Sequence, residues 1–168
     1  TAYFFFYFSS HTEHILYLVF WTCLSQLIFF AVQFLLSLKF RVAGLFDVTN
    51  CETIYAKNVH EKLYPASTTK ILTAYITLKH GNLDDIATVT KENITLESGS
   101  SHCGLKEGDQ ISVKNLLYGL MLKSANDAAN VLADYVSGST EEFAKLMNEE
   151  ALLLGATNSH FVNAHGLH

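Results

Sequence analysis

Charge is almost absent from the first 40 residues, which hold no Arg, a single Lys (Lys39) and a single acid (Glu13). Such a segment takes no part in a soluble core. Within it, residues 15–38 run for 24 positions without a charge, long enough to span a bilayer as a helix. The stretch also lacks what a secretory signal normally carries, a basic leader and a small-residue cleavage site. Ahead of the run stand only His11, Glu13 and His14, and no clear Ala-x-Ala precedes Arg41. Lys39 and Arg41 lie on its C-terminal flank, which by the positive-inside tendency would place the succeeding domain in the cytoplasm. An uncleaved anchor, a damaged signal peptide and a mistranslated upstream stretch all fit. The first residue is Thr rather than Met, which leaves the natural start open. Residues 1–40 are therefore set apart as a hydrophobic segment (signal peptide, membrane anchor or artefact), with membrane association through 15–38 as one option.

Cysteine is scarce too. Cys23, Cys51 and Cys103 show no Cys-x-x-Cys spacing, and an odd count builds no disulfide framework, so the redox compartment is not legible. Removing Lys39 and Glu13 from the totals of 11 bases and 16 acids leaves 10 and 15 in residues 41–168, which thus carry the whole net charge of −5. No basic stripe or interleaving of aromatic and basic residues occurs there, which argues against a nucleic-acid partner. No internal repeat or low-complexity linker breaks this part, and its length suits one domain.

From Arg41 the pattern is that of a soluble domain. Residues 42–46 and 53–57 read as short strands joined by the turn-rich Asp47-Val-Thr-Asn50, an antiparallel hairpin. A helix beginning near Ser67 is expected to stop at Gly81, and residues 86–90 form a third strand. A polar loop over 97–104 and a turn at Glu107-Gly108-Asp109 come next. Ser112 can cap a largely buried helix over 113–122. The next helix, 127–136, puts Ala128, Val131, Leu132 and Tyr135 on one face and ends at Gly138. Ser139-Thr-Glu-Glu142 reads as a capping box for a helix with Phe143, Leu146, Met147, Ala151 and Leu154 in its stripe, stopping at Gly155. These stripes read as core rather than cofactor contacts.

The chain is organised around Tyr64-Pro65-Ala66-Ser67-Thr68-Thr69-Lys70. Proline disfavours helix for the residue before it and gives an extended approach, so Ser67 falls in the first turn of the helix beyond it. Ser67 and Lys70, three apart, share one helix face. A lysine can take a serine's proton only if burial and nearby cations lower its pKa. The positive end of the helix would favour an anion at Ser67. Alone, such a string is more often solvated helix surface. A second cluster, Lys123-Ser124-Ala125-Asn126-Asp127, sits between two buried helices. Its ordinary reading is a turn, because Ser, Asn and Asp favour turns. A hydroxyl and an amide on such a loop can also relay a proton and hold a substrate carbonyl.

Together, Ser67-Thr-Thr-Lys70 and Ser124-Ala-Asn126 resemble the first two motifs of the penicillin-recognising serine enzymes, whose third motif is Lys-Thr-Gly. The wording around them is similar to that of the low-molecular-mass D-alanyl-D-alanine carboxypeptidases, the group that includes the smaller penicillin-binding proteins. The resemblance is carried by Pro65-Ala-Ser-Thr-Thr-Lys70, Leu105-Lys-Glu-Gly108, Leu116-Leu-Tyr-Gly119, Ser124-Ala-Asn-Asp-Ala-Ala129, Phe143-Ala-Lys-Leu-Met-Asn148 and Phe161-Val-Asn-Ala-His-Gly-Leu167. It runs from about Val42 to His168, leaves residues 1–40 out, and implies an α/β fold of the β-lactamase/transpeptidase type, a helical cluster packed on an antiparallel sheet. It implies that Ser67 is the nucleophile attacking the penultimate D-Ala of a peptidoglycan stem peptide and that Lys70 takes its proton. Ser124 then protonates the leaving amine, Asn126 positions the substrate, and the Ser67 N–H supplies an oxyanion donor. β-Lactams are expected to acylate the same serine. The resemblance implies no cofactor and no metal, and an extracytoplasmic setting in the cell envelope.

No Lys-Thr-Gly occurs among the 168 residues. The expectation is therefore a partial catalytic domain over 41–168, with an incomplete sheet, unpaired edges and exposed apolar surface, and with no useful activity alone. Ala164 stands where the family usually has proline, an expected change only in loop stiffness. A β-lactamase would have Asp where this chain has Ala125, and would need a deacylating Glu for which no candidate stands out. A membrane-tethered, non-catalytic binder of wall peptides is the alternative from another class. His160, His165 and His168 have metal-like spacings without acidic or cysteine partners nearby. Asn93-Ile-Thr95 matches a glycosylation acceptor, and Cys103 lies in a polar loop, as an incidental residue or a reactive thiol.

Overall fold

The computed structural model describes residues 41–167. The apolar run at 15–38, Cys23 and His168 lie outside them. The described chain divides into two units, one ending at Leu63 and one beginning at Tyr64.

The first unit is the expected hairpin. Strand β1 (Ala43–Asp47) pairs antiparallel with β2 (Glu52–Lys57), with a register shift between Leu45 and Phe46. The Asp47 carboxylate closes the turn, accepting from the Thr49 N–H at 2.8 Å, the Asn50 N–H and the Asn50 side chain. These hydrogen bonds to the charged form hold its pKa below the ordinary value. After β2 the chain is tied back by Asn58 Nδ2 donating to the Arg41 carbonyl and by an ion pair of Arg41 with Glu61.

The second unit holds four helices and a small sheet. A 3₁₀ turn (Ala66–Thr68) runs into α1 (Thr69–His80), so Ser67 does sit in the first turn. Strands β3 (Ile86–Thr88) and β4 (Gln110–Ser112) pair antiparallel, Ala87 opposite Ile111. Helices α2 (Val113–Leu122), α3 (Asn126–Ser137) and α4 (Thr140–Leu153) complete it. No helix among the described residues is long and apolar enough to cross a membrane.

Helix α3 is the centre of the unit. Every residue from Asn126 to Ala133 is buried, and the helix contacts α1, α2, α4 and β3. Its small residues, Ala128, Ala129 and Ala133, let neighbours approach closely enough to pack Ile76, Leu116, Leu120, Phe143 and Met147 around it. Each such large side chain removed from water stabilises the fold by about 1.5–3 kcal/mol. The punctuation is largely as the residues indicate. Ser112 Oγ accepts from the Asn115 N–H at 3.3 Å, and Ser139 Oγ from the Glu142 N–H at 3.1 Å. Gly138 ends α3 in the left-handed conformation (φ +82°).

Several expectations change. The Glu142 carboxylate pairs with Lys145 rather than reaching back across the cap, so only half of the capping box forms. Helix 113–122 is buried along one face only: Tyr118, Met121 and Leu122 are exposed, Leu122 by 84%. Leu154 falls just past the end of α4 and is exposed. Gly81 ends α1 with φ −105°, so a left-handed turn is not what calls for glycine there. A Cβ at that position would stand 2.7 Å from the Tyr135 ring and 2.9 Å from the Thr77 carbonyl oxygen. Strand β4 adds an element that periodicity did not suggest. Asn93 is buried and donates from Nδ2 to Asp134, so it is part of the interior rather than a glycosylation acceptor.

Among the described residues both sheets have only two strands, and Ile71, Tyr75 and Leu78 are exposed on α1. Both features match the expected incomplete sheet and exposed apolar surface. Replacing Ser139 by Ala removes the one side-chain cap of α4. Urea denaturation is expected to show a loss of about 1 kcal/mol, and Ser112→Ala a similar loss at α2.

Candidate active site

The site begins with a strained turn. Ala66, a non-glycine residue, is held at φ +48° immediately before Ser67. Such a conformation costs on the order of 1–3 kcal/mol and persists only where surrounding contacts dictate it. Here those contacts come from residues 163–167, which cross the start of α1 as a strap. Gly166 is at φ +80°, and a Cβ on it would overlap the Ala66 carbonyl oxygen and Thr69 Oγ1. Glycine is required there for both reasons. The strap is braced internally by Asn163, whose Oδ1 accepts from the Gly166 N–H at 2.7 Å and from the His165 N–H at 3.2 Å. It is fastened to α1 by Thr73 Oγ1, which donates to the Ala164 carbonyl at 2.6 Å. That bond uses the carbonyl of residue 164, which a proline would equally supply.

The strap also meets Lys70. The Lys70 Nζ lies 3.3 Å from Ser67 Oγ and 3.1 Å from the His165 carbonyl oxygen. Lys70 is only 2% exposed, whereas Ser67 opens to solvent. No carboxylate pairs with Lys70 among the described residues. Burial therefore acts unopposed and lowers its pKa from the ordinary 10.5. The expectation that nearby cations help is not met, since desolvation is the sole cause. His165 is likewise held below its usual pKa, first by burial and then by the Lys70 charge. Its Nδ1 accepts from the Leu167 N–H, so the strap stays neutral beside the amine.

The second cluster lies at the start of α3. Ser124 is at φ +56°, a second strained non-glycine residue, and its hydroxyl is buried without a hydrogen-bond partner among the described residues. Asn126 is 2% exposed, and its N–H donates to the Ser101 carbonyl at 2.8 Å. Helix packing brings α3 against α1. Ser67 and Lys70 are hydrogen-bonded to one another, whereas no hydrogen bond among the described residues joins Ser124 or Asn126 to that pair. Buried polar groups are almost always paired; Ser124 Oγ and Thr69 Oγ1 are the buried side-chain oxygens without a hydrogen-bond partner among the described residues.

Other candidates resolve differently. Burial raises the Cys103 thiol pKa, with the Asp127 charge adding to it, which makes the thiol less reactive than an ordinary one. His160 is exposed on its own, and no group of three metal-ligating side chains exists among the described residues. Residue types alone did not point to Thr73 or the His165 carbonyl, and gave Asp127 only as a turn former. Backbone acceptors have no side-chain signature, although the glycine at 166 was a visible clue.

This geometry has two measurable outcomes. Lys70 titrates lower in the folded chain than in the unfolded one. Between those two pKa values the unfolded chain binds the extra proton, so unfolding free energy rises with pH through that window. Lys70→Met is expected to remove that rise, seen as a flatter stability profile in urea titrations up to pH 10.5. Gly166→Ala is expected to cost about 3 kcal/mol from left-handed strain and overlap, measured by the same denaturation.

Residues 36–168 match the family described as D-alanyl-D-alanine carboxypeptidase. The chain is similar to the D-alanyl-D-alanine carboxypeptidase DacC of Escherichia coli K12, 45% identical over 133 residues, covering 73% of this chain and 33% of that one. It is 37% identical over 128 residues to DacF of Bacillus subtilis, covering 74% and 33%. In three dimensions it resembles the crystal structure of the carboxypeptidase DacD from Francisella tularensis, with a TM-score of 0.73, 32% identity and coverage of 79% and 33%. A likeness to penicillin-binding protein 6B of E. coli (TM-score 0.65, 37% identity, coverage 70% and 40%) bears out the expected transpeptidase-like α/β fold class. The chain spans about a third of the length of the curated relatives it matches. With its first two motifs in order and the pair of Ser67 and Lys70 assembled, this chain belongs to the D-alanyl-D-alanine carboxypeptidase family.

Proposed function

We propose that residues 41–168 provide the attacking part of a serine D-alanyl-D-alanine carboxypeptidase active site, with residues 1–40 outside the catalytic domain. The observation that carries this reading is the desolvated Lys70 amine, 3.3 Å from an exposed Ser67 hydroxyl at the start of a helix. Lowering the amine's pKa raises its neutral fraction at neutral pH, as a general base requires.

In the proposed reaction the Ser67 oxygen bonds to the carbonyl carbon of the penultimate D-Ala while its proton passes to Lys70 Nζ. The tetrahedral oxyanion faces the Ser67 N–H and the positive end of α1. Collapse breaks the C–N bond, and Ser124, whose buried hydroxyl has no hydrogen-bond partner among the described residues, passes the proton from Lys70 to the departing amine of terminal D-Ala. Asn126 positions the acyl part. Water, deprotonated by the same lysine, then releases the shortened stem peptide and restores Ser67. β-Lactams stop at the acyl stage. The substrate places the protein in the cell envelope, outside the cytoplasm.

The alternative reading is a non-catalytic binder of wall peptides, since no Lys-Thr-Gly stands within these 168 residues. A chimaera separates the two: residues 41–168 joined to the part of E. coli DacC beyond its matched region. The chimaera is expected to release D-Ala from a D-alanyl-D-alanine peptide, with Ser67→Ala and Lys70→Ala each lowering kcat/KM by at least ~100-fold. A folded chimaera whose activity survives Ser67→Ala would overturn the assignment. The 168 residues alone are expected to show no covalent labelling by a fluorescent penicillin, read on a denaturing gel. Robust labelling at Ser67 would show that the third motif is dispensable for acylation.

A further inference from the structure

We propose that Asp127 is a positioning residue for the second motif, acting through the loop 101–105. This deepens the reading above and rests on it. The Asp127 carboxylate is 2% exposed, yet no cation pairs with it among the described residues. It is satisfied instead by backbone N–H groups. Oδ2 accepts from Cys103 and Gly104 at 3.0 Å and from Leu105 at 3.1 Å, while Oδ1 accepts from Cys103 at 3.0 Å and from Ala128 at 2.9 Å. Three successive amides of an otherwise exposed loop thus converge on one buried anion. That anion lies in the first turn of α3, where the helix favours negative charge and where Ala125 offers no side-chain cap.

The loop so held passes its order to Ser124. Ser101, two residues before the first anchored amide, grips the motif's turn at both ends. Its carbonyl accepts from the Asn126 N–H at 2.8 Å, and its Oγ donates to the Lys123 carbonyl at 2.7 Å. Between these two points Ser124 is kept at φ +56°. A non-glycine residue leaves that conformation once its surroundings stop dictating it. The clamp therefore runs from the Asp127 carboxylate to the loop, from the loop to Ser101, and from Ser101 to the orientation of the Ser124 hydroxyl. The loop packs closely at Gly119 as well, where a Cβ would come within 2.7 Å of Cys103 Sγ.

Asp127→Asn keeps the shape but turns one acceptor oxygen into an NH₂ that faces backbone donors. In the full 168-residue chain, amide exchange at Cys103, Gly104, Leu105 and Asn126 is expected to accelerate at least ~10-fold, with Val131 and Leu132 unchanged. The Ser124 HN–Hα coupling, read by NMR, is expected to move toward an average over left-handed and extended conformations. A purely structural contribution would lower the denaturation midpoint and leave that coupling unchanged under folding conditions. Ser101→Ala, which removes one hydroxyl from an exposed position, is expected to move the Ser124 coupling in the same direction without unfolding the chain. It supplies the test if Asp127→Asn does not fold. An unaltered Ser124 coupling in every folded variant overturns the proposal. Neither readout requires substrate or turnover. A clamp that behaves as described in a chimaera inactive toward D-alanyl-D-alanine therefore refutes the carboxypeptidase reading, and unchanged coupling in an active one refutes the clamp.

Discussion

Removal of the Lys70 amine from water is the constraint on which the rest of the second unit depends. A buried ammonium without a carboxylate partner is costly, and burial relieves that cost by favouring the neutral amine. The penalty is sustained because the amine still has two oxygen partners, Ser67 Oγ and the His165 carbonyl. One belongs to Ser67, three positions earlier in the chain. The other belongs to a strap 95 positions further along the chain, so the lysine's environment exists only when the fold has closed around it. Thr73 and Gly166 fasten that strap, the first by a hydrogen bond and the second by having no side chain where Ala66 and Thr69 approach.

The same logic accounts for two strained residues in so small a region. Ala66 precedes Ser67, and Ser124 opens the second motif, both with positive φ. Each is flanked by contacts that leave it little choice: the strap against Ala66, and Ser101 with the Gly119 carbonyl around Ser124. Helix α3 is buried along eight consecutive residues, and its small side chains let three helices close on it. Burial is concentrated in that helix, and the two strained residues stand just ahead of helices, Ala66 before α1 and Ser124 before α3.

How much of this the sequence discloses depends on the range of the interaction. Local signals read well. Ser112 and Ser139 cap the helices they precede, Gly138 ends α3 in the left-handed region, and Ser67 and Lys70 face one another because helical spacing requires it. Where a distant partner decides the matter, the residue can be right and the reason wrong. Gly81 ends α1 because Tyr135, on a different helix, fills the space a Cβ would need, not because the turn is left-handed. Strand β4 is three residues long and exists only through pairing with β3, so no periodicity of its own announces it. Glu142 fits half of a capping box, but Lys145 one turn on competes for its carboxylate.

Asp127 shows the limit most clearly. In the sequence it is a turn former at a helix start, and that reading is correct as far as it goes. Its larger part comes from three backbone amides that carry no identity in the sequence at all. A buried carboxylate satisfied by amides rather than by a cation is fixed in direction as well as in charge, since each N–H arrives along its own line. Exchanging it for an ion pair would keep the charge balanced and lose the geometry. The residues around Ser124 therefore carry more than a turn: the carboxylate three positions on accepts from the amides of the loop whose Ser101 bonds on either side of that serine.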